Sequence, residues 1–365
     1  MQVLQHDRRP YKVFFISLSG HPLAMTGKLK TLLAQKGTLL ADGATGTNFF
    51  NMGLISGDAP ELWNEEQPEK VKALHQGFVD AGADIILTNT FGGNRHRLKL
   101  HNAQDRSREL NRMAAELARE VCDQADKTVL VAGSVGPTGE LFEPLGELTH
   151  EAAVQSFKEQ MIGLKEGGAD VLWIETMSAR EEIQAAAEAA SAVGLEYIFT
   201  ASFDTAGRTM MGIAPSELGA IAGELPSPPT AVGANCGVGA TDLLMSVLEM
   251  TENGVTADGG QIAVIAKANC GVPRVSGDQV IYTGTPELMG EYAKLAMDAG
   301  AKIIGGCCGT SAHHLAAMRT AIDAHTKGAR PNLETVVDAT GELVNKIAAP
   351  QADNERGGRR RSRRR

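Results

Sequence analysis

Hydrophobic positions along this chain follow two alternating rhythms. Short, near-continuous apolar runs recur at Thr38–Ala41, Asp84–Thr88, Thr128–Ala132, Val171–Ile174, Tyr197–Ala201, Thr230–Ala234, Ile262–Ala266 and Lys302–Ile304. Between them, apolar residues return every three or four positions. These stretches are Pro68–Ala81, Asp105–Ala125, Glu151–Glu166, Ala179–Ala192, Asp242–Glu252, Pro286–Ala299 and His313–Ala324. The first rhythm predicts strands covered on both faces, the second amphipathic helices. Pro68 and Pro286 suit a first helical position, where a missing N–H costs nothing, and Thr285 can cap. Three phrases repeat one form: AGADIILTN (Ala81–Asn89), GGADVLWIE (Gly167–Glu175) and AGAKIIGGC (Ala299–Cys307). Each ends a helix at a glycine, turns, and enters a strand. Eight strands, each followed by a helix, predict an α/β protein with a single-domain (β/α)8 TIM barrel over 31–328. Residues 1–30 read as a leader and 329–365 as a C-terminal extension. A doubly wound open sheet would want GxGxxG after the first strand, and Gly43-Ala44-Thr45-Gly46 does not match it.

The chain has 365 residues, 43% of them hydrophobic, enough for one large core. Five cysteines, an odd number in a long chain, do not suit a disulfide framework, and reduced thiols point to the cytoplasm. No apolar run approaches the roughly 18 residues of a membrane helix. Val13–Leu18 falls short of the roughly 7–15 residues of a signal-peptide core. Residues 1–24 therefore read as a disordered leader, or as an upstream extension with the natural start at Met25. The net charge is −9, yet Arg356–Arg365 holds seven arginines and no acid. A nucleic-acid-binding domain needs a basic face on the fold, and this one has an acidic body. The tail reads as a solvated, disordered end. Neither a nucleic acid nor a membrane is expected as partner; a homo-oligomer is left open.

A barrel gathers its chemistry at the C-terminal ends of its strands. Cys236 stands at such an end in GANCG (Gly233–Gly237), and Cys307 and Cys308 at another in GGCCGT (Gly305–Thr310). Three thiolates favour Zn2+ over harder cations, and a three-ligand zinc site keeps a position open. A sulfur-rich shell suits activation of a substrate thiol toward an electrophilic carbon. Adjacent strand residues point to opposite faces, so both thiols can face one ion only if the backbone leaves strand geometry, which Gly305, Gly306 and Gly309 allow. Buried core cysteines or a vicinal disulfide are the alternatives. Cys270 also ends a strand and is a spare candidate. Asp42 and Glu175 end the first and fourth strands and together suit a substrate ammonium. Gly43 allows close approach of a carboxylate. A structural ion pair is the competing reading of the two acids.

DGATGT (Asp42–Thr47), GADIILTNTF (Gly82–Phe91), GSVGPTGE (Gly133–Glu140), IET (Ile174–Thr176), GANCG and GGCCGT stand in an order that resembles the homocysteine S-methyltransferases. The resemblance covers about 37–326. It implies a (β/α)8 barrel, zinc held by Cys236, Cys307 and Cys308, and homocysteine taking a methyl group to give methionine. It also implies amino-group binding by Asp42 and Glu175, the catalytic pair, in a pocket that includes Gly43, Thr88 and Ser134.

Family members draw the methyl group from betaine, S-methylmethionine or a methylcorrinoid. The chain ends soon after the barrel, so no fused folate or cobalamin domain is expected. With APELWN (Ala59–Asn64), the pattern resembles standalone bacterial betaine enzymes, while the motifs also resemble the homocysteine module of cobalamin-dependent methionine synthase. Trp63 and Phe91 match aromatic positions of a betaine pocket, and aromatic faces suit a quaternary ammonium. Thr45, Gly92 and Thr176 stand where the animal betaine enzyme has aromatic residues. The expectation is a betaine-type enzyme. The alternatives are a separate methylcorrinoid protein or S-methylmethionine as donor, and a non-catalytic zinc-binding partner subunit or scaffold.

Overall fold

The computed structural model describes residues 27–345 apart from 253, 258–259 and 277–278. The reading of 1–24 and of the arginine tail lies outside the described residues. Eight parallel strands make one sheet: β1 (Leu39–Leu40), β2 (Ile85–Leu87), β3 (Leu130–Val135), β4 (Val171–Met177), β5 (Tyr197–Ala201), β6 (Ala231–Cys236), β7 (Ala263–Ala268) and β8 (Ile303–Gly306). From β2 to β8 each pairs with the next in sequence, and β8 returns to β1. A bridge between Ala41 and Ile85, with Asp84 N–H donating to Leu40 O at 2.7 Å, closes the ring. The predicted (β/α)8 barrel is thus formed.

A helix follows every strand. Thr285 caps Pro286–Asp298 by accepting from Leu288 N–H at 3.3 Å. The helix after β5, Leu218–Glu224, escapes sequence periodicity because it has only seven residues, two of them glycine.

Along each strand, side chains alternate between two cores. Leu39, Ala41, Ile85, Leu87, Leu130, Ala132, Val171, Trp173, Ile198, Ala231, Ile265 and Ile303 fill the barrel interior. Their neighbours Leu40, Ile86, Val131, Leu172, Phe199, Val232, Val264 and Ile304 pack outward in the larger core that includes residues of the surrounding helices. This is the layered interior of a packed barrel rather than a pore.

Helix Lys28–Lys36 plugs the lower end. Leu29 and Leu32 join the interior cluster, Lys28 pairs with Asp170, and Lys36 with Asp84. Glu196 accepts from Leu29 N–H at 3.0 Å. Lys28–Lys30, just before the expected boundary at residue 31, are part of this helix. At the other terminus Leu333–Thr340 is helical, Val336 is buried, and Asp242 accepts from Val344 and Asn345 N–H. Among the described residues no helix is long and apolar enough to cross a membrane.

Candidate metal and substrate site

The upper end of the barrel interior changes character. Continuing the period of two carries Ala132 to Ser134, Trp173 to Glu175, Gly233 to Asn235 and Ile265 to Lys267. The last inward layer is therefore polar, on a rigid apolar column.

Cys236 follows inward-facing Asn235 and should face the helices. A backbone turn prevents this: Cys236 has φ 64° and Gly237 φ 75°. Left-handed backbone at a non-glycine residue costs of order 1–3 kcal/mol, and such strain gathers at functional sites. Cys307 and Cys308 lie just beyond Gly306, where β8 ends, so neither is bound to strand geometry. Gly309 then turns at φ 80°, and a Cβ there would meet Tyr282 Cγ at 2.3 Å. Asn269 ties the two thiol-bearing turns together. Its Oδ1 accepts from Cys308 N–H at 3.0 Å and its Nδ2 donates to Gly237 O at 2.6 Å.

The three sulfurs all lie within 4.8 Å of one another. The three thiols are free in this structure. Cys270 is buried and stands outside the trio. Hydrogen bonds from Cys236 and Cys307 push the Cys308 thiol down to about 3. Cys236, donating to Cys307 and Cys308, is held far above its ordinary range.

Glu175 sits where the β4–β5 register shifts, between Ile174 and Met177, and Thr176 has φ 61°. Bulges of this kind re-aim side chains beside active sites. Glu175 Oε1 accepts from Ser134 Oγ and Oε2 from Asn235 Nδ2 at 3.5 Å. Burial pushes its carboxyl up to about 7, against the pull of Lys267. Thr88 Oγ1 accepts from Ser134 N–H at 3.0 Å and shares a 2.6 Å hydrogen bond with Thr90 Oγ1.

Lys267 was not foreseen. Only 3% exposed, its Nζ lies 3.3 Å from Asp42 Oδ1 and donates to Gly43 O at 3.2 Å. Burial disfavours its charge, but Asp42, Cys307 and Glu175 outweigh that and hold its pKa above the usual lysine range. Asp42 is 1% exposed; its Oδ2 accepts from Leu87 N–H at 2.7 Å, and Oδ1 has no hydrogen bond. Burial pushes Asp42 up to about 6 even beside Lys267.

A cavity of about 610 Å³ opens over this layer. Gly43, Thr88, Phe91, Ser134, Glu175, Lys267 and the three cysteines all line it. The Asp42 carboxylate is paired with Lys267 rather than lining the cavity. Trp63 does not line the cavity either. It is buried against Phe49, ring centroids 5.1 Å apart, with Lys70 Nζ 4.6 Å from its ring centre. Phe50, unremarked in the sequence, joins Phe91 on the wall.

A family model described as homocysteine S-methyltransferase matches residues 39–322. Methionine synthase from Mycobacterium leprae (strain TN) is 28% identical over 326 residues, covering 85% of this chain and 26% of that protein. Methionine synthase from Mycobacterium tuberculosis (strain ATCC 25618 / H37Rv) is 27% identical over 311 residues, covering 80% and 25%. The chain thus spans about a quarter of the length of these relatives. Oxidized and metallated crystal structures of the homocysteine methyltransferase MmuM from Escherichia coli each align with a TM-score of 0.65 at 25% identity. They cover 80% of this chain and 98% and 99% of those chains. With the matched model spanning most of the barrel, the chain belongs to the homocysteine S-methyltransferase family.

Proposed function

We propose that this protein is a zinc-dependent homocysteine S-methyltransferase that makes methionine, with betaine as donor and dimethylglycine as second product. The observation that carries this reading is the convergence of three cysteine sulfurs on a cavity also lined by Glu175 and Lys267. Three soft sulfur donors all within 4.8 Å of one another fit a single zinc ion. Cys236, Cys307 and Cys308 would hold the ion. Bound there, zinc supplies the Lewis acidity that keeps an incoming thiol deprotonated at neutral pH.

The chain's own residues do the rest. Glu175, fixed by Ser134 and Asn235, takes the substrate amino group. Lys267, on the same wall, faces the substrate carboxylate, so the wall carries both charges of an amino acid. Asp42 acts from behind, keeping Lys267 charged. Thr88 and Ser134 shape the floor. The substrate sulfur, as thiolate, forms a bond to the methyl carbon while the N–CH3 bond breaks and its electron pair stays on nitrogen. The amine leaves neutral, and no general base at carbon is needed. Positioning and thiolate activation carry the rate.

Phe50 and Phe91 offer aromatic faces on the cavity wall, which favours an onium donor. Similarity to methionine synthase supports a second reading, in which a separate methylcorrinoid protein is the donor. The zinc-loaded protein should convert homocysteine and betaine to methionine and dimethylglycine in equal amounts, read by mass spectrometry. Methionine formed only with a methylcorrinoid donor would replace betaine by the second reading. No methionine from any of these donors or from S-methylmethionine would leave the scaffold reading.

A further inference from the structure

The segment Ala59–Asn64 carries a second buried acid that the chemistry above does not use. Asn64 Nδ2 donates to Asn89 O at 2.9 Å, and Asn89 Nδ2 donates to Pro60 O at 2.7 Å. This double clasp fixes the short turn Pro60–Leu62 to the chain just past β2, and the turn presents Glu61 to the cavity. Glu61 is 5% exposed. Its Oε1 accepts from Gly92 N–H at 2.6 Å, and a Cβ on Gly92 would lie 2.9 Å from that oxygen. A side chain at Gly92 would press on the carboxylate in this seat. Among the described residues no cation forms a salt bridge with Glu61; Arg97 and His101 act on it only at longer range. Burial pushes its carboxyl above the ordinary range. A carboxylate enclosed in this way is costly until a positive charge arrives.

We infer that Glu61 is a specificity residue for the methyl donor: its carboxylate selects a donor whose methyl group sits on a cationic, onium centre. The inference rests on the proposed methyl transfer and deepens it. Gly92 stands where the animal betaine enzyme has an aromatic residue, and its backbone N–H here holds an acid. Charge here does the work of an aromatic ring. Phe50 and Phe91 supply apolar walls around the same space, and Arg97 lies at hand for a donor carboxylate.

The chemistry dictates which constant Glu61 governs. The onium charge is full in the bound donor and fades as the methyl group leaves for sulfur. A nearby carboxylate therefore favours the ground state at least as much as the transition state. Glu61 should set the donor's KM and its binding, not kcat.

The test compares the zinc-loaded wild type with Glu61→Gln and Glu61→Asp at saturating homocysteine. Glutamine keeps the bond from Gly92 and removes only the charge. The expected result is a donor KM raised about 10- to 100-fold with kcat within about twofold, the range of one buried charge interaction. The KM of homocysteine should stay unchanged, and aspartate should restore part of the loss. Calorimetric titration with betaine and with S-methylmethionine should show the same weakening, whether or not turnover follows. If the wild type turns over an onium donor and Glu61→Gln leaves its KM and affinity unchanged, the inference is overturned while the methyltransferase reading stands. If neither onium compound binds the wild type, the inference falls; methylation by methylcobalamin in that case would still uphold homocysteine methylation. A Glu61→Gln loss confined to kcat would also overturn it.

Discussion

Cys307→Ala should lose bound zinc and methionine formation together. Zinc held by three or four protein ligands is worth roughly 10–16 kcal/mol, so one thiolate of three accounts for roughly 3–5 kcal/mol. At about 1.4 kcal/mol per decade, affinity falls roughly 10²- to 10⁴-fold. Metal analysis after dialysis should find the wild type near one equivalent and the variant close to none. Activity should fall by at least the same factor, because the two remaining sulfurs give a shell of different charge and geometry. The fold should survive: Cys307 lies beyond the last residue of β8, and its structural bond to Ala268 O comes from the backbone N–H. Circular dichroism separates loss of metal from loss of fold. Cys270→Ala is the matched control, since that buried thiol lies outside the trio, and it should retain zinc. Full zinc in Cys307→Ala would refute the ligand assignment.

The barrel was legible because its strands are buried on both faces and each announces itself as an apolar run after a glycine turn. The thiol site was legible because GANCG and GGCCGT put cysteines at strand ends beside glycines. Other features depend on the third dimension. Lys267 lies inside AVIAKA, where one charge in an apolar strand is easily passed over. The period of two could have found it: Ala263 and Ile265 face the interior, so Lys267 must face it one layer higher, level with Glu175 and Ser134. Asp42 looked like a pocket residue because it ends a strand, yet β1 ends early and turns its carboxylate to Leu87 N–H and Lys267. Trp63 matches by sequence position, yet in the folded chain Glu61 lines the cavity and Trp63 packs on Phe49, a placement that depends on contacts distant in sequence. Helix Lys28–Lys36 was hidden by its low amphipathicity, with Leu29 and Leu32 its only buried side chains.

Lys267→Met should be the most destabilising single change at this site. The substitution preserves most of the stem's volume and removes the cation, leaving Asp42 buried with one oxygen already lacking a hydrogen bond. Breaking a buried pair from one side typically costs roughly 3–5 kcal/mol. In a barrel of this size that should lower Tm by on the order of 10 °C. The loss should depend on pH in a direction that identifies its cause. In the wild type the Asp42 carboxyl is raised from 3.8 to about 6, so the folded state binds the extra proton between those values and stability falls as pH rises through that window. Without Lys267 the folded-state value rises further, and the window extends upward. The Tm deficit of Lys267→Met should therefore shrink at pH 5 and widen at pH 8. Adding Asp42→Asn should recover much of the loss, since removing both charges costs less than orphaning one. Homocysteine affinity should not recover with it, because the cation that faces the substrate carboxylate is still missing. A deficit that is equal at both pH values and unrelieved by Asp42→Asn would mean that Lys267 acts through packing alone.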